Sequence, residues 1–370
     1  MRINIAAAHR FHLLDLAREL ETHGHEVRFY SYVPTNRALK FGLKKECSYS
    51  VFYIMLPFLA LVKISNGSSW STKLLHRALD NYLSFFMKPC DVYIALGTVY
   101  KKSLISAKNK FGATTILEWG SKHIQEQQRI LSLIPNLYQQ DEYFTIRSLD
   151  GYQLADYISI ASDHVKKSFM DRGIPKQKLI QNPYGVDLSQ FSPTEIYEKQ
   201  SFDLIMVGGW SYRKGCDLLI EFFKTTNLTL LHVGPIIDLP FPIIQNMTHF
   251  DPVNQKQLIE FYNKAKIFVL PSREEGLAMV QCQALACGLP IVCSKDTGGR
   301  DLRDILDDKK WIIEMDDFSI NSLNDSIKKA LKLADSQKGI RDYAGSAIDN
   351  LTWKAYGERY NMNLMKIIDA

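Results

Sequence analysis

Two segments of this chain combine residue types suited to holding an anionic, hydroxyl-rich ligand. The first is Pro271-Ser272-Arg273-Glu274-Glu275-Gly276-Leu277-Ala278, which follows the apolar run Ile267–Leu270 and leads into a helical pattern. A helix beginning near Gly276 would leave its first N–H groups unpaired, and glycine lets a ligand approach them, which favours a phosphate. Glu275 stands just before that start. Gln283 lies eight residues on, about two turns, near the same face. The second segment is Met206-Val207-Gly208-Gly209-Trp210-Ser211-Tyr212-Arg213-Lys214-Gly215. Its glycines allow close backbone approach, and Arg213 and Lys214 are suited to neutralising a diphosphate. Each segment also has a plainer reading. Glu275 is then a helix N-terminal acid, Gln283 a polar surface residue and Arg213–Lys214 a solvated pair.

Two more segments follow strand-like runs in the first half of the chain. Glu118-Trp119-Gly120-Ser121-Lys122-His123 comes at the end of Thr114–Glu118. His123 and Glu118 are candidates to meet a ligand in the cleft, with a histidine satisfied inside the fold as the equal alternative. Ala8-His9-Arg10-Phe11-His12 follows Ile3–Ala7. One of His9, Arg10 or His12 is a candidate to touch a ligand or its phosphate, and helix initiation is the favoured role for His12. His164 and His232 read as incidental.

Such groups need rigid elements to position them, and the pattern supplies parallel sheets covered by helices. Ile3–Ala7, Val27–Tyr32, Val92–Leu96, Thr114–Glu118 and Tyr157–Ala161 read as strands of one sheet. His12–His23 has leucines at helical spacing and is closed by Gly24. A second series runs through the strand Phe202–Val207, the helix Gly215–Phe223, the strand Thr229–Val233 and the helix Asn254–Ala265. It ends with the strand Ile267–Leu270, the helix Leu277–Ala286 and the strand Pro290–Cys293. Between the two series, proline, glycine and polar residues crowd Asn182–Pro193, as in an interdomain connection. The expected architecture is α/β, with two Rossmann-like domains facing each other across a cleft. The expected divisions are residues 1–182 for the first domain, 183–352 for the second, and 353–370 as a returning helix.

Bulk properties agree with that picture. A chain of 370 residues exceeds the size at which one core usually stops growing. Its 46% apolar and 23% charged residues are ordinary for a globular protein. A net charge of +5 is too mild to argue for nucleic acid. The six cysteines form no CxxC pair, so a reduced, cytoplasmic compartment fits. The run Val51–Ile64 is broken by Pro57 and is too short to span a bilayer. Lys40, Lys44, Lys45 and Lys63 flank it, which makes peripheral membrane contact through the N-terminal domain one reading. Core packing is the favoured one.

The segment Pro271–Pro290 resembles the Glu-x7-Glu motif of glycosyltransferase family 4, a group of GT-B enzymes. The resemblance implies that the first glutamate, Glu275, contacts the donor sugar and that the second position contacts the nucleotide ribose. That second position is Gln283, whose amide still donates to and accepts from a hydroxyl, so ribose contact there is expected without negative charge. Ala278 replaces a usual glycine. The stretch Met206–Gly215 is similar to the family's "VGR…KG" element. Lys214 carries over, Gly209 occupies the arginine position, and Arg213 is the substitute. Leu154-Ala155-Asp156-Tyr157 with Ser162, Asn182–Phe191, Thr297-Gly298-Gly299 and Trp353 resemble further family elements in the same order.

The family resemblance implies retaining transfer from a nucleotide-diphosphate sugar to a hydroxyl of a glycan, lipid-linked glycan or small molecule, in polysaccharide biosynthesis. The expected catalytic residues are Glu275, Lys214 and His123. Donor binding is expected from Gly208, Gly209, Arg213, Lys214, Ser272, Glu275, Gly276, Leu277, Ala278 and Gln283. Glu118, Arg10 and His12 are the acceptor-side candidates. No cofactor is implied. No metal is expected, since no Asp-x-Asp element has a strand-end context. Two rivals stand beside this reading: a GT-B nucleotide-sugar epimerase and a non-catalytic nucleotide-sugar-binding protein. A nicotinamide-dependent dehydrogenase is disfavoured because no G-x-G-x-x-G follows Ile3–Ala7.

Overall fold

Runs such as VYIAL at 92–96 and IFVL at 267–270 are apolar without alternation, the pattern of strands covered on both faces. The computed structural model describes residues 1–134, 141–192, 201–306, 308–337 and 349–368. The first half comprises β1 (Arg2–Ala6), α1 (Phe11–Thr22), β2 (Glu26–Ser31), α2 (Thr35–Leu39), β3 (Ser48–Ser50), α3 (Phe52–Ile64) and α4 (Ser69–Phe86). It continues with β4 (Val92–Leu96), α5 (Lys101–Phe111), β5 (Thr114–Trp119), α6 (Ile124–Ser132), α7 (Glu142–Leu154), β6 (Tyr157–Ile160), α8 (Asp163–Met170) and β7 (Leu179–Gln181). These seven strands form one sheet in the order β3-β2-β1-β4-β5-β6-β7, parallel throughout.

The second half contains β8 (Phe202–Val207), α9 (Cys216–Phe223), β9 (Leu230–Val233), β10 (Met247–Phe250), α10 (Gln255–Asn263) and β11 (Ala265–Leu270). Then follow α11 (Met279–Ala286), β12 (Ile291–Cys293), α12 (Gly299–Ile305), β13 (Ile312–Glu314) and α13 (Ile320–Asp335). Its six strands, again all parallel, run β10-β9-β8-β11-β12-β13. In each sheet the strand order reverses once, between β1 and β4 and between β8 and β11. Doubly wound sheets bind ligands at such reversals, beyond the carboxyl ends of the strands. The last helix, α14 (Trp353–Ile368), returns to the first sheet's side. There Asn361 meets His25 at 2.7 Å, and the Tyr360 hydroxyl donates to Glu118 at 2.7 Å.

The sequence pattern locates the longer strands to within two residues, and Val92–Leu96 and Phe202–Val207 without any shift. It passes over β3, β7, β10 and β13, which are only three or four residues long and too short for a periodic signal. The expected helix start near Gly276 is displaced to Met279. The Glu275 and Ala278 amides donate to the carbonyls of Asp296 and Thr297 at 2.9 and 3.2 Å. Those bonds tie the segment to the loop after β12 and keep it out of the helix. The favoured core-packing reading of Val51–Ile64 holds for one stripe only. Phe58, Leu59 and Val62 pack on the first domain's core, while Tyr53, Ile54, Leu56 and Ile64 are exposed. No helix among the described residues is long and apolar enough to cross a membrane.

Two buried carboxyls join separate parts of the fold, and each generates a prediction. Glu118 is buried, with one oxygen on Tyr360 and the other 3.0 Å from His12 Nε2. Tyr360→Phe leaves a buried acceptor without its donor, which costs about 1–3 kcal/mol. Calorimetry should show the melting temperature lowered by a few degrees. Asp301 of α12 accepts from the Asp163 amide at 2.8 Å and from Gln181 at 2.7 Å, both in the first domain. Its second oxygen has no partner among the described residues. Burial pushes its pKa up to about 6. A raised carboxyl pKa gives stability that is complete below the unfolded value near 4 and is lost as pH rises through 6. Melting curves of wild type and Asp301→Asn should therefore diverge between pH 4 and 6. The variant should gain relative to wild type by up to about 3 kcal/mol, with no further change above that range.

Candidate functional site

The loop after β11 enters the cleft with two adjacent carboxylates that take different partners. Glu274 is fully buried. It accepts from the Lys122 amide at 3.1 Å, from Gln127 of α6 at 3.0 Å and from Arg213 Nε at 3.0 Å. The first two belong to the N-terminal domain and the third to the C-terminal one, so this carboxylate clamps the domains together. Glu275 pairs with the Lys214 ammonium, lies 3.6 Å from Arg213 Nη2 and accepts weakly from Ser272 Oγ at 3.4 Å. Its backbone carbonyl accepts from His164 Nε2 at 2.9 Å, again across the domain boundary. Both His164 and Glu274 carry the site, and neither stood out in the sequence.

Gly276 is glycine because of the domain contact. A Cβ there would sit 2.0 Å from the Gly120 carbonyl oxygen, and the Gly276 carbonyl accepts from Ser162 Oγ at 2.8 Å. Close approach of a ligand is therefore not what this position serves in the structure. The expectation of a helix terminus at Gly276 passes to Met279. Its amide and that of Val280, as the first helical residues, point out of α11 without an intrahelical acceptor.

The turn after β8 brings up the cations. Gly208 has φ +130°, a conformation open to glycine, and the Lys214 side chain passes beside it. Its carbonyl accepts from His232 Nε2 at 2.9 Å. Burial lowers the His232 pKa to about 4, so this ring is neutral and donates through Nε2. His232 thus fixes the turn that carries the basic pair, which corrects its reading as incidental. Gly209 lies against Ile237, where a Cβ would come within 2.9 Å. Arg273 is occupied elsewhere. It grips Asp217 of α9 with bonds of 2.6 and 2.7 Å and lies over the Phe318 ring, bracing the Pro271–Ala278 loop from outside.

A cavity of about 340 Å3 opens beside the switch point, lined by Arg10, His12, Gln255, Met279, Gln283 and Trp353 among others. The structure thus brings Gln283 of the second domain together with Arg10 and His12 of the first. Tyr262 donates to Gln283 Oε1 at 3.1 Å, which orients the amide. Glu118 does not line this cavity; it holds His12 from behind. Ser272 lines a separate cavity of about 430 Å3 on the β12–β13 side, while Leu277 and Ala278 are buried in the loop. His123 is not brought to the cleft. Its ring packs on Tyr152 and Phe169, and Nδ1 accepts from the Gln125 amide to cap α6. Burial lowers its pKa to about 4, as befits a core histidine. Among the described residues, no group of three or more His, Cys, Asp or Glu side chains is arranged to hold a metal ion.

Comparison with known proteins places these features. Residues 190–346 match the family model of glycosyl transferases group 1. Over 172 residues the chain is 25% identical to an uncharacterized glycosyltransferase of Methanocaldococcus jannaschii, covering 45% of this chain and 47% of that protein. It is 23% identical over 237 residues to the GDP-mannose-dependent alpha-(1-6)-phosphatidylinositol monomannoside mannosyltransferase of Mycolicibacterium smegmatis, covering 55% and 61%. The chain thus spans about half the length of the curated relatives it matches. Among solved structures, sucrose-phosphate synthase of Thermosynechococcus elongatus superposes with a TM-score of 0.69 at 14% identity, covering 100% of this chain and 99% of that one. Anabaena HepE in complex with UDP and glucose gives 0.65 at 13%, covering 99% and 100%. The fold is therefore GT-B, and the part of the chain that carries Lys214, Glu275 and Gln283 is similar to the glycosyl transferases group 1.

Proposed function

We propose that this chain is a retaining glycosyltransferase that moves a sugar from a nucleotide-diphosphate sugar to a hydroxyl acceptor. The observation that carries the reading is the meeting of Lys214 and Arg213 with Glu275 at the β8/β11 switch point, within the family match. Glycosyl transfer builds negative charge on the departing diphosphate, so fixed cations beside it stabilise the transition state more than the ground state. Lys214 and Arg213 supply that charge, and the free amides at the start of α11 add to it. Glu275 orients hydroxyls of the transferred sugar. Gln283, its Oε1 held by Tyr262, offers its amide nitrogen to the ribose.

On the acceptor side, Arg10 and His12 face the same cavity as Gln283, with Glu118 acting through His12 as a positioning residue. The charge on the leaving group is met by side chains, and the reaction is proposed to need neither metal nor cofactor. A nucleoside-diphosphate donor is supported by the relatives, one named for GDP-mannose and one solved with UDP and glucose. Hydroxyl acceptors of glycans or lipid-linked glycans fit this class.

Lys214→Ala should lower kcat by about 100-fold or more, the usual cost of removing one preorganised group on a developing anion. Purified variant and wild type would be assayed with the same nucleotide sugar and acceptor, after melting curves show both folded. An unchanged kcat removes Lys214 from the leaving-group role. Turnover of the donor to an isomeric nucleotide sugar without acceptor would replace transfer by epimerisation.

A further inference from the structure

Phe11, the first residue of α1, holds a backbone angle that its side chain disfavours. Among the described residues, it and Asn66 are the non-glycine residues with positive φ, at +39° and +49°. Asparagine visits that region readily, whereas for a bulky side chain it is an outlier that the surrounding fold must impose. Burial of the ring would offset such strain, but Phe11 is 52% exposed. Its ring meets His9 edge-on at 5.8 Å and forms part of the wall of the cavity of about 340 Å3 that also holds Gln283. A strained, half-open aromatic on a ligand cavity points to a contact that is made only when the cavity is filled. We propose that Phe11 stacks on the nucleobase of the donor, so that the first domain completes the nucleotide pocket of the second.

The two walls of the cavity come from different domains and suit different parts of a nucleoside. On the second-domain side stand Gln283, Met279 and Gln255. Gln283 is held by Tyr262 and is the group proposed above for the ribose. Gln255 opens α10, whose start is fixed by the Asn254–Gln257 capping box. Its side chain is exposed, and an amide both donates and accepts. On the first-domain side stand Phe11 and Phe41. The Arg10 guanidinium lies over the Phe41 ring at 3.7 Å, which leaves Phe11 as the open aromatic. A nucleobase is apolar on its flat faces and carries donors and acceptors only at its edge, which matches an open ring with amides beside it. A base joined to a ribose at Gln283 also has to lie within one nucleoside's length of that residue. A phosphate suits this wall less well, because Arg10 and Arg18 are paired with Asp15 and Glu19. The inference rests on the donor reading above and adds that the base is gripped from both domains, so that bound nucleotide holds them together.

Calorimetric titration of the full chain with UDP, GDP, ADP, CDP and inorganic pyrophosphate tests this. Phe11→Gly removes the ring and accepts the positive φ without strain. It should weaken the best-bound nucleoside diphosphate by about tenfold, the loss of one base–aromatic stack. Phe11→Tyr keeps an aromatic face and should hold binding within about twofold. Pyrophosphate has no base and should bind wild type and both variants equally. The melting temperature of Phe11→Gly should stay within about two degrees of wild type, since relief of strain and a looser unfolded chain oppose each other. Nucleoside diphosphate binding that Phe11→Gly leaves unchanged overturns the inference, and so does an equal weakening of pyrophosphate. A raised acceptor KM with unchanged nucleotide binding would give the ring to the acceptor, and a melting temperature many degrees lower would give it to the core; either overturns it. A wild type that binds none of the nucleoside diphosphates overturns the donor reading and this inference with it.

Discussion

The relation between the two domains depends on one buried carboxylate. An ionised glutamate taken out of water costs several kcal/mol unless its oxygens find donors. Glu274 finds three, the Lys122 amide, Gln127 and Arg213, and they come from both halves of the chain. Parting the domains would strip two of them from a group with no exposure, so the carboxylate holds Gly120 against Gly276 and Ser162 against the same turn. Those contacts in turn fix where Glu275 stands relative to Lys214. The neighbouring ion pair of Lys122 with Asp296 at 2.8 Å ties the same N-terminal loop to the segment after β12.

Much of this scaffold is legible in the sequence, because buried parallel strands announce themselves as short apolar runs with helical spacing between them. The turn after β8 and the loop after β11 are legible for the same reason, since each lies between a clear strand and a clear helix. What sequence hides is which of two adjacent acids, both buried, bridges the domains. Glu274 and Glu275 differ by one position, and the partners that separate them lie about 150 residues away along the chain. His164 and His232 are hidden likewise, since the carbonyls they meet, those of Glu275 and Gly208, lie 111 and 24 residues away along the chain. Gly276 shows the converse. A glycine before a helix suggests an anion site, yet the reason for it here is a facing carbonyl from the other domain.

Helix α3 was ambiguous for a different reason. Its residues are apolar all round, so no period distinguishes a covered face from an open one, and core burial is the natural reading of such a run. Only the number of neighbours decides, and the first domain covers a single stripe. The charge pattern is in contrast plain in the sequence, since forty-odd residues between Cys47 and Cys90 contain one acid, itself buried.

On the proposed function, the two acids would also explain how a site whose cations are already paired could accept a diphosphate. Arg213 and Lys214 face Glu274 and Glu275, so the local charge is balanced. A diphosphate competes for the cations, and the outcome differs for each acid. Glu274 keeps two donors from the first domain when Arg213 turns away, so its burial remains satisfied. Glu275 keeps only the weak contact from Ser272 when Lys214 turns away, and a buried carboxylate with one poor donor is costly. Sugar hydroxyls are the donors that arrive with the diphosphate on the proposed substrate. Diphosphate and sugar would then be bound cooperatively by one ion-pair exchange on the proposed reading, because the phosphate would free the carboxylate and the sugar satisfy it. A nucleoside diphosphate without its sugar would leave Glu275 short of donors, so the proposed exchange would favour intact donor over product at the same cations.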